Sequence, residues 1–331
     1  MGGDGGPETT IEGVSLATKL YPDVRFKLFG DKRKSEDLIS KFNLEKNIDF
    51  VHTTEFIKSN DQPVNALRKL KKSSIRLATN DVKNKISDGL VSAGNTGALM
   101  AISKFVLKTI KTIDRPAISG LMPTMKGLTV VLDLGANVEC SDDNLVQFAL
   151  MGDIFAQCVL GIKKPKIGLL NVGSEDIKGN SIVKQAHENL KRIEKQINFY
   201  GFVEGDDINK GIVDVVVTDG FSGNIALKTA EGVADLIFTY LKNAYQSSFI
   251  SKLGYILSKP ALNRFKTRID PRKYNGAVLL GLNGIIVKSH GGTDAFGFSN
   301  AISVAISLIK NNYVNTIENK LTGKHEWFFQ K

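Results

Sequence analysis

The chain has 331 residues, of which 42% are hydrophobic and 24% charged, and its formal net charge is +10. This balance is that of an ordinary globular protein; two cysteines, Cys140 and Cys158, exclude a disulfide framework, and no apolar run approaches the roughly 20 residues of a membrane-spanning helix. The positive charge favours a polyanionic partner such as anionic lipid or an acidic protein. Nucleic acid is disfavoured, because no zinc-finger spacing, aromatic RNA-binding pattern or basic heptad is present.

The chain begins with MGGDGGPETT, which is small and acidic rather than basic and then apolar, so no secretory signal is predicted and we expect a cytoplasmic protein. From there β-rich runs alternate with helical patterns, without a linker or a repeat. Strands are predicted over 24–30, 48–53, 88–94, 128–135, 166–173, 198–205, 213–220, 277–282 and 284–290. Helices are predicted over 96–111, 143–160, 180–195, 223–245 and 294–318.

Runs such as VDVVV are continuously apolar, as expected where helices cover both faces of a parallel sheet. We therefore predict an α/β protein with three layers, helix, sheet and helix, and a single domain over residues 1–331.

Five turns share one composition, rich in small and polar residues, where a predicted strand ends and a helix begins: SAGNTG (92–97), DLGANVE (133–139), NVGSEDIKGN (171–180), TDGFSGN (218–224) and SHGGTDA (289–295). Small residues let backbone N–H groups approach an anion, and helix N-termini carry partial positive charge. If the turns converge on one edge of the sheet, they form an oxyanion-binding crevice. The alternative for any one turn is ordinary helix capping.

Several familiar chemistries find no support. There is no G-x-G-x-x-G after a strand and no G-x-x-x-x-G-K-[ST], and His52, His187, His290 and His325 are scattered without cysteines at ligand spacing, so no metal is predicted. GFSG at 220–223 is one residue short of a serine-hydrolase elbow, which makes Ser222 a weak candidate nucleophile.

Polar side chains within the five turns suit oxyanion chemistry. Amides and a lysine beside bare backbone can bind an inorganic oxyanion and stabilise a second one that forms during a reaction. The alternatives are a capping histidine at His290 and a solvated loop lysine at Lys178. The polar set comprises Asn95, Asn137, Asn171, Glu175, Lys178, Asp219, Asn224, His290 and Asp294.

Six segments in order, MGGDGGPE, VSAGNTGALM, LDLGANVE, GLLNVGSEDIKGN, VVVTDGFSGN and SHGGTDA, closely resemble the PlsX family of acyl-carrier-protein:phosphate acyltransferases over essentially the whole chain. The resemblance implies a Rossmann-like fold related to the isocitrate and isopropylmalate dehydrogenases and to phosphotransacetylases, with a mostly parallel sheet. It also implies a homodimer without metal or nucleotide cofactor. The implied reaction joins a fatty acyl group from acyl carrier protein to inorganic phosphate, and the acyl phosphate passes to a membrane glycerol-3-phosphate acyltransferase of the PlsY type.

With this reaction in view, we expect direct attack of phosphate on the thioester without an acyl-enzyme, because phosphate is anionic at neutral pH and a thiolate with a pKa near 8.5 is a tolerable leaving group. The predicted catalytic residues are Lys178, Asn224, His290 and Asp219. Lys178 and turn amides hold phosphate, while Asn224, Asn95 or His290 stabilises the tetrahedral intermediate. The predicted phosphate- and substrate-binding residues are Gly3, Asp4, Ser92, Gly94, Asn95, Thr96, Asn137, Asn171, Ser174, Glu175, Ser222, Gly223 and Asp294.

One feature departs from the family pattern. Family members usually begin with a short apolar strand that leads into the M-G-G-D turn, whereas this sequence begins at the turn. Either translation starts upstream of Met1 or the first strand is absent, which would leave a central strand position unfilled.

Three other functions remain open: a short-chain phosphate acetyl- or butyryltransferase that uses acyl-coenzyme A, a dehydrogenase of the related fold, and a non-enzymatic membrane-binding module. The dehydrogenase is disfavoured by the missing nucleotide fingerprint.

A basic amphipathic helical segment is predicted near 245–273. Between Lys252 and Lys273 lie seven lysines and arginines against one acid, Asp270. We expect peripheral association with the anionic inner face of the plasma membrane, or docking of acidic acyl carrier protein; a dimer interface is the alternative. The apolar face comprises Phe249, Ile250, Leu253, Ile256 and Leu257.

Overall fold

The computed structural model describes residues 1–322. Ten strands are found in this part of the chain: β1 (Phe26–Gly30), β2 (Ile48–His52), β3 (Gly89–Ser92), β4 (Ala117–Thr124), β5 (Gly127–Leu132), β6 (Lys166–Leu170), β7 (Asn198–Val203), β8 (Val215–Val217), β9 (Ala277–Leu280) and β10 (Ile285–Lys288).

The same residues form twelve α-helices: α1 (Gly6–Leu20), α2 (Glu36–Lys41), α3 (Pro63–Lys69), α4 (Ser74–Lys83), α5 (Thr96–Leu107), α6 (Asp142–Leu160), α7 (Ser181–Arg192), α8 (Gly205–Lys210), α9 (Gly220–Gln246), α10 (Phe249–Arg268), α11 (Ala295–Lys310) and α12 (Tyr313–Thr322). Short 3-10 turns cover 32–34 and 271–274.

Helices cover both faces of an eight-stranded sheet, whose order is β3-β10-β9-β4-β5-β8-β6-β7. Alternation along the strands divides the apolar side chains between the faces. Val287 packs into a core with α6, α11 and α12, whereas Ile286 packs into a second core with α4 and α5. The predicted three-layer α/β architecture is confirmed.

Three reversals of strand direction lie within this sheet. The pairs β3–β10, β5–β8, β8–β6 and β6–β7 are parallel, but β10–β9, β9–β4 and β4–β5 are antiparallel. Parallel pairs therefore predominate, as predicted. However, β3 and β10 run opposite to β5, β6, β7 and β8, so their carboxyl ends lie at opposite edges of the sheet.

We call the edge at the carboxyl ends of β3 and β10 the upper edge, and the edge at the carboxyl ends of β5, β6 and β8 the lower edge. The upper edge carries turns 92–97 and 289–295, and the lower edge carries turns 133–139, 171–180 and 218–224. Within one chain, the five turns therefore do not all converge on one edge of the sheet. The strand that produces the inversion, β4, is absent from the sequence-based prediction because Gly120 and Pro123 interrupt its apolar pattern.

Other differences concern the first hundred residues, one short helix and the last helix. Helices α1 to α4 and α8 were not among the predicted elements. The predicted helix over 294–318 is two helices, α11 and α12, separated at Asn312, whose φ of 51° is left-handed. Strands β1 and β2 pair in parallel as a separate two-stranded sheet. The predicted single domain extends over 323–331, which lie outside the described residues.

Helices α9 and α10 form a long hairpin. The first turns of α9 pack on the sheet through Ala226, Leu227 and Ala230, but no residue of α10 is buried. The guanidinium of Arg268, at the end of α10, donates to the carbonyl of Met125 in the β4–β5 turn (3.3 Å). Because that turn lies at the upper edge, the hairpin starts at the lower edge and returns to the upper one.

Candidate active site

Three segments of small residues meet at the upper edge. The N–H of Asp4 donates to the carbonyl of Gly291 (3.1 Å), and the N–H of Ser289 donates to the carbonyl of Ser92 (2.9 Å). A Cβ at Gly3 would lie 3.2 Å from the carbonyl oxygen of Ala93, so only glycine fits there without displacement. The three backbones form a concave surface, which we call the glycine cradle (residues 2–4, 92–94 and 289–292).

Three helices begin around the glycine cradle. α1, α5 and α11 start directly after its three segments, with Gly5, Asn95 and Asp294 as their N-caps. Their partial positive charges point toward one region, which favours an anion there.

A lysine lies beneath the glycine cradle. Lys288 is the last residue of β10 and only 8% exposed, and its ammonium donates to the carbonyl of Ser289. Burial lowers the pKa of Lys288 to about 8, and the charge of Asp4 opposes this shift. Lys288 is not among the predicted site residues, although a lysine that ends an otherwise apolar strand directly before SHGG is a usable signal.

His290 lies on the glycine cradle in a fixed orientation. Its Nδ1 accepts from the N–H of Gly292 (3.2 Å), and its own N–H donates to the side-chain oxygen of Asn275 (2.9 Å). In the neutral imidazole the proton is therefore on Nε2, which can donate to an oxyanion. Asn275 also donates to the hydroxyl of Ser289 and the carbonyl of Gly297, both at 2.8 Å, so it positions the turn; this residue too was missed.

The other predicted residues of the upper edge serve as structural supports. The amide of Asn95 caps α5 through Ala98 N–H and donates to loop carbonyls, the nearest being that of Ser59 (2.9 Å). Asp294 caps α11 and pairs with Arg272 (2.6 Å). The hydroxyl of Ser92 accepts from the N–H of Gly94 (3.2 Å). Thr96 is the first residue of α5.

A cavity of about 510 Å³ adjoins the upper edge at the base of the α9–α10 hairpin. Phe238 and Ile269 contribute apolar surface, and Lys266 and Arg272 contribute positive charge. The guanidinium of Arg272 also bonds to Asp270 (2.7 Å) and lies 5.4 Å from the ring centre of Phe296.

At the lower edge, Asp133 organises two of the turns. Its carboxylate accepts from the N–H groups of Ile118 and Asn137, at 2.9 and 2.7 Å, and from the Asn137 side chain. Burial raises the pKa of Asp133, although these hydrogen bonds oppose the shift. Asn224 donates to the carbonyl of Leu134 (3.2 Å), and Asp219 caps α9 through Ser222 N–H and accepts from the Ser222 hydroxyl (2.9 Å).

The remaining lower-edge turn, 171–180, is built on Asn171. The side chain of Asn171 donates to the carbonyls of Gly173 (3.0 Å) and Lys178 (3.2 Å). Lys178 is half exposed and pairs with Glu175 (2.8 Å), which raises the pKa of Lys178. Ser174 is exposed in the same turn.

The structure therefore divides the predicted site residues into two groups. The upper edge of the sheet carries Gly3, Asp4, Ser92, Gly94, Asn95, Thr96, His290 and Asp294. The lower edge of the same chain carries Asn137, Asn171, Ser174, Glu175, Lys178, Asp219, Ser222, Gly223 and Asn224. Within one chain, Lys178 and Asn224 therefore lie across the sheet from His290, because the antiparallel pairs β10–β9, β9–β4 and β4–β5 reverse the strand direction between β10 and β5.

Metal-ligating groups do not cluster within residues 1–322: nowhere there do three or more His, Cys, Asp or Glu side chains come close enough to hold an ion. His325 lies outside that part of the chain. No helix in the same residues is both long and apolar enough to cross a membrane.

Comparison with known proteins gives a family. A family model described as "Fatty acid synthesis protein" matches residues 1–316. The chain is 54% identical over 318 residues to a phosphate acyltransferase of Paramagnetospirillum magneticum, covering 96% of this chain and 91% of that protein. It is 49% identical over 322 residues to a phosphate acyltransferase of Rhodospirillum rubrum, covering 97% and 92%.

Solved structures share the fold. EutD phosphotransacetylase from Staphylococcus aureus superposes with a TM-score of 0.58 at 18% identity, covering 91% of this chain and 93% of the other. A phosphotransacetylase from Streptococcus pyogenes gives 0.59 at 18% identity, covering 92% of each chain. At this identity the likeness concerns the fold alone.

Proposed function

The chain belongs to the fatty acid synthesis protein family, and from that membership we propose its reaction. It is an acyltransferase of phospholipid synthesis that uses phosphate as the acyl acceptor. The donor is a fatty acyl thioester of acyl carrier protein. An oxygen of hydrogenphosphate attacks the thioester carbonyl carbon, the C–S bond breaks, and the leaving thiolate takes up, through solvent, the proton that the phosphate group releases as it becomes acyl phosphate. The products are acyl phosphate and free acyl carrier protein.

The observation that carries this proposal is the glycine cradle with its three helix starts. Direct attack needs phosphate held in position and an oxyanion stabilised, and little acid or base help. Backbone N–H groups at the starts of α1, α5 and α11 supply the first requirement, and Nε2–H of His290 supplies the second. No acyl-enzyme forms in this mechanism.

The decisive experiment is phosphate-dependent release of thiol from long-chain acyl carrier protein. We expect release only when phosphate is present. Acyl transfer confined to short-chain acyl-coenzyme A would instead support a phosphate acetyl- or butyryltransferase, and no phosphate-dependent transfer at all would overturn the proposal. An acyl group trapped on Ser222 or a cysteine in the absence of phosphate would overturn the direct mechanism.

The lower-edge residues take part through a second copy of the chain. We predict a homodimer, and two copies can bring Lys178, Asn224 and Asp219 of one protomer to the glycine cradle of its partner, where a single chain cannot. Exposed apolar side chains around the lower-edge turns support an interface there: Val138, Val172, Ile177, Phe221 and Ile225.

The α9–α10 hairpin meets the membrane and the acyl carrier. Phe249 and Ile250 are more than 80% exposed near the tip, and Leu253, Ile256 and Leu257 continue an exposed apolar surface on α10. Basic residues follow toward its end. We propose that this cytoplasmic enzyme binds the inner face of the plasma membrane through α10 and passes acyl phosphate to a membrane glycerol-3-phosphate acyltransferase. The predicted relation of this fold to that of the isocitrate and isopropylmalate dehydrogenases remains a prediction.

A further inference from the structure

The side chain of Lys288 is a buried cation with few polar partners. It is 8% exposed, and within residues 1–322 its ammonium makes one hydrogen bond, to the carbonyl of Ser289. Asp4 contributes a favourable charge, yet Lys288 forms no ion pair within residues 1–322. An ammonium has three donors, and a buried charge without a close counter-ion destabilises a fold.

The position of this ammonium coincides with the anion-favouring surface. Lys288 directly precedes Ser289, and Asp4, whose charge acts on it, donates its N–H to Gly291. A Cβ at Gly291 would lie 3.3 Å from the Asp4 carboxylate. The lysine therefore underlies the place where all three segments of the glycine cradle meet.

We propose that Lys288 is the cationic anchor of the phosphate site, with its ammonium bonded to the bound phosphate while the glycine cradle supplies backbone N–H groups. This inference deepens the proposed function and rests on it. The role differs from that of Lys178, which is half exposed and already paired with Glu175. A bound dianion would complete the hydrogen bonds of the Lys288 ammonium and compensate its charge.

A phosphate-binding role accounts for the presence of a lysine at the end of a buried strand. Lowering of its pKa to about 8 leaves the ammonium largely charged at neutral pH, so it can meet an anion without first gaining a proton. A merely structural residue at this position would be apolar, like Ile285, Ile286 and Val287 before it.

The test is Lys288→Met, with Lys27→Met as the matched control. Lys27 also lies in a strand, but its ammonium pairs with Asp81 (2.6 Å). The melting temperature of the full-length protein is measured with inorganic phosphate alone, and with sulfate and chloride at equal ionic strength. We expect phosphate to raise the melting temperature of wild type and of Lys27→Met, but not of Lys288→Met.

Kinetics provide the second readout. In Lys288→Met we expect the KM for phosphate to rise about 10- to 100-fold, the range for a lost charge-assisted hydrogen bond, with the KM for the acyl donor unchanged. Lys288→Arg should recover part of the phosphate response. A wild-type phosphate response in Lys288→Met would overturn the proposal.

Two further outcomes are separable. If Lys288→Met does not fold, Lys288→Gln replaces it, because the amide can still donate to the Ser289 carbonyl; failure of both to fold would make the role structural and overturn the proposal. If wild type shows no phosphate-dependent acyl transfer, the proposed function fails, whereas the melting temperatures with phosphate alone still decide the role of Lys288.

Discussion

At the scale of single residues, Lys288 links stability to pH in a direction that can be measured. Its pKa falls from 10.5 in the unfolded chain to about 8 in the fold, so between these values the unfolded state binds more protons. Stability therefore rises with pH across this window and is unaffected below it. We expect the free energy of unfolding of wild type to rise by about 3 kcal/mol relative to Lys288→Met from pH 8 to 10.5.

Denaturant titrations of both proteins at several pH values check this prediction. The difference in the free energy of unfolding between the two proteins cancels the contributions of the titratable groups that they share. Parallel pH profiles would mean that the ammonium is solvated or paired in the fold, contrary to its burial.

The oriented imidazole of His290 yields a kinetic prediction. If its Nε2–H donates a hydrogen bond to the oxyanion of the tetrahedral intermediate, we expect His290→Ala to lower kcat by about 100- to 1,000-fold and to leave the KM for phosphate nearly unchanged. His52→Ala is the control, since His52 lies at the end of β2 and accepts from the N–H of Lys32. A raised KM for phosphate with unchanged kcat would assign His290 to phosphate binding instead.

At the scale of elements, the start of α9 depends on glycine for a packing reason. A Cβ at Gly223 would lie 2.0 Å from the carbonyl oxygen of Asp133, whereas a Cβ at Gly232 in the same helix meets nothing within 4 Å. We expect Gly223→Ala to lower the free energy of unfolding by about 1–3 kcal/mol and Gly232→Ala to raise it by up to about 1 kcal/mol. Equal effects in urea unfolding would show that helix propensity, not the Asp133 contact, governs both.

The hairpin gives a prediction about location. Leu253→Glu should abolish binding to anionic vesicles but retain most activity on soluble acyl carrier protein, because it alters an exposed apolar position of α10. Ser251→Glu adds the same charge at a polar position and should weaken binding only at low salt. Wild type that ignores anionic vesicles would refute the membrane role, and an inactive monomer from Leu253→Glu would place this surface in the dimer.

At the scale of the whole molecule, the two edges of the sheet predict complementation between copies. Lys178→Ala and His290→Ala should each be nearly inactive alone. If Lys178 serves the partner's glycine cradle, refolding them together restores activity to about a quarter of wild type, because half the dimers are mixed and each holds one intact site. Refolding a single variant alone is the control. Absence of recovery, with mixed dimers present, would confine each site to one chain.

The alternation of short apolar strands and amphipathic helices established the α/β class, because burial on both faces of a sheet leaves a pattern that is local in the chain. The same is true of the turns, since small and capping residues mark where strands end and helices begin. Lys178, Asn224 and His290 were predicted as site residues in this way.

Strand order and direction were decided by the tertiary structure. Strand β4 pairs with β5 and β9, and the β9 partner lies about 160 residues away in sequence, so no local pattern reports that pairing. That reversal determines which turns share an edge, and hence which predicted residues can meet one substrate. The burial of Lys288 likewise results from the packing of three segments that are distant in sequence. The local sequence of β10 does not report it.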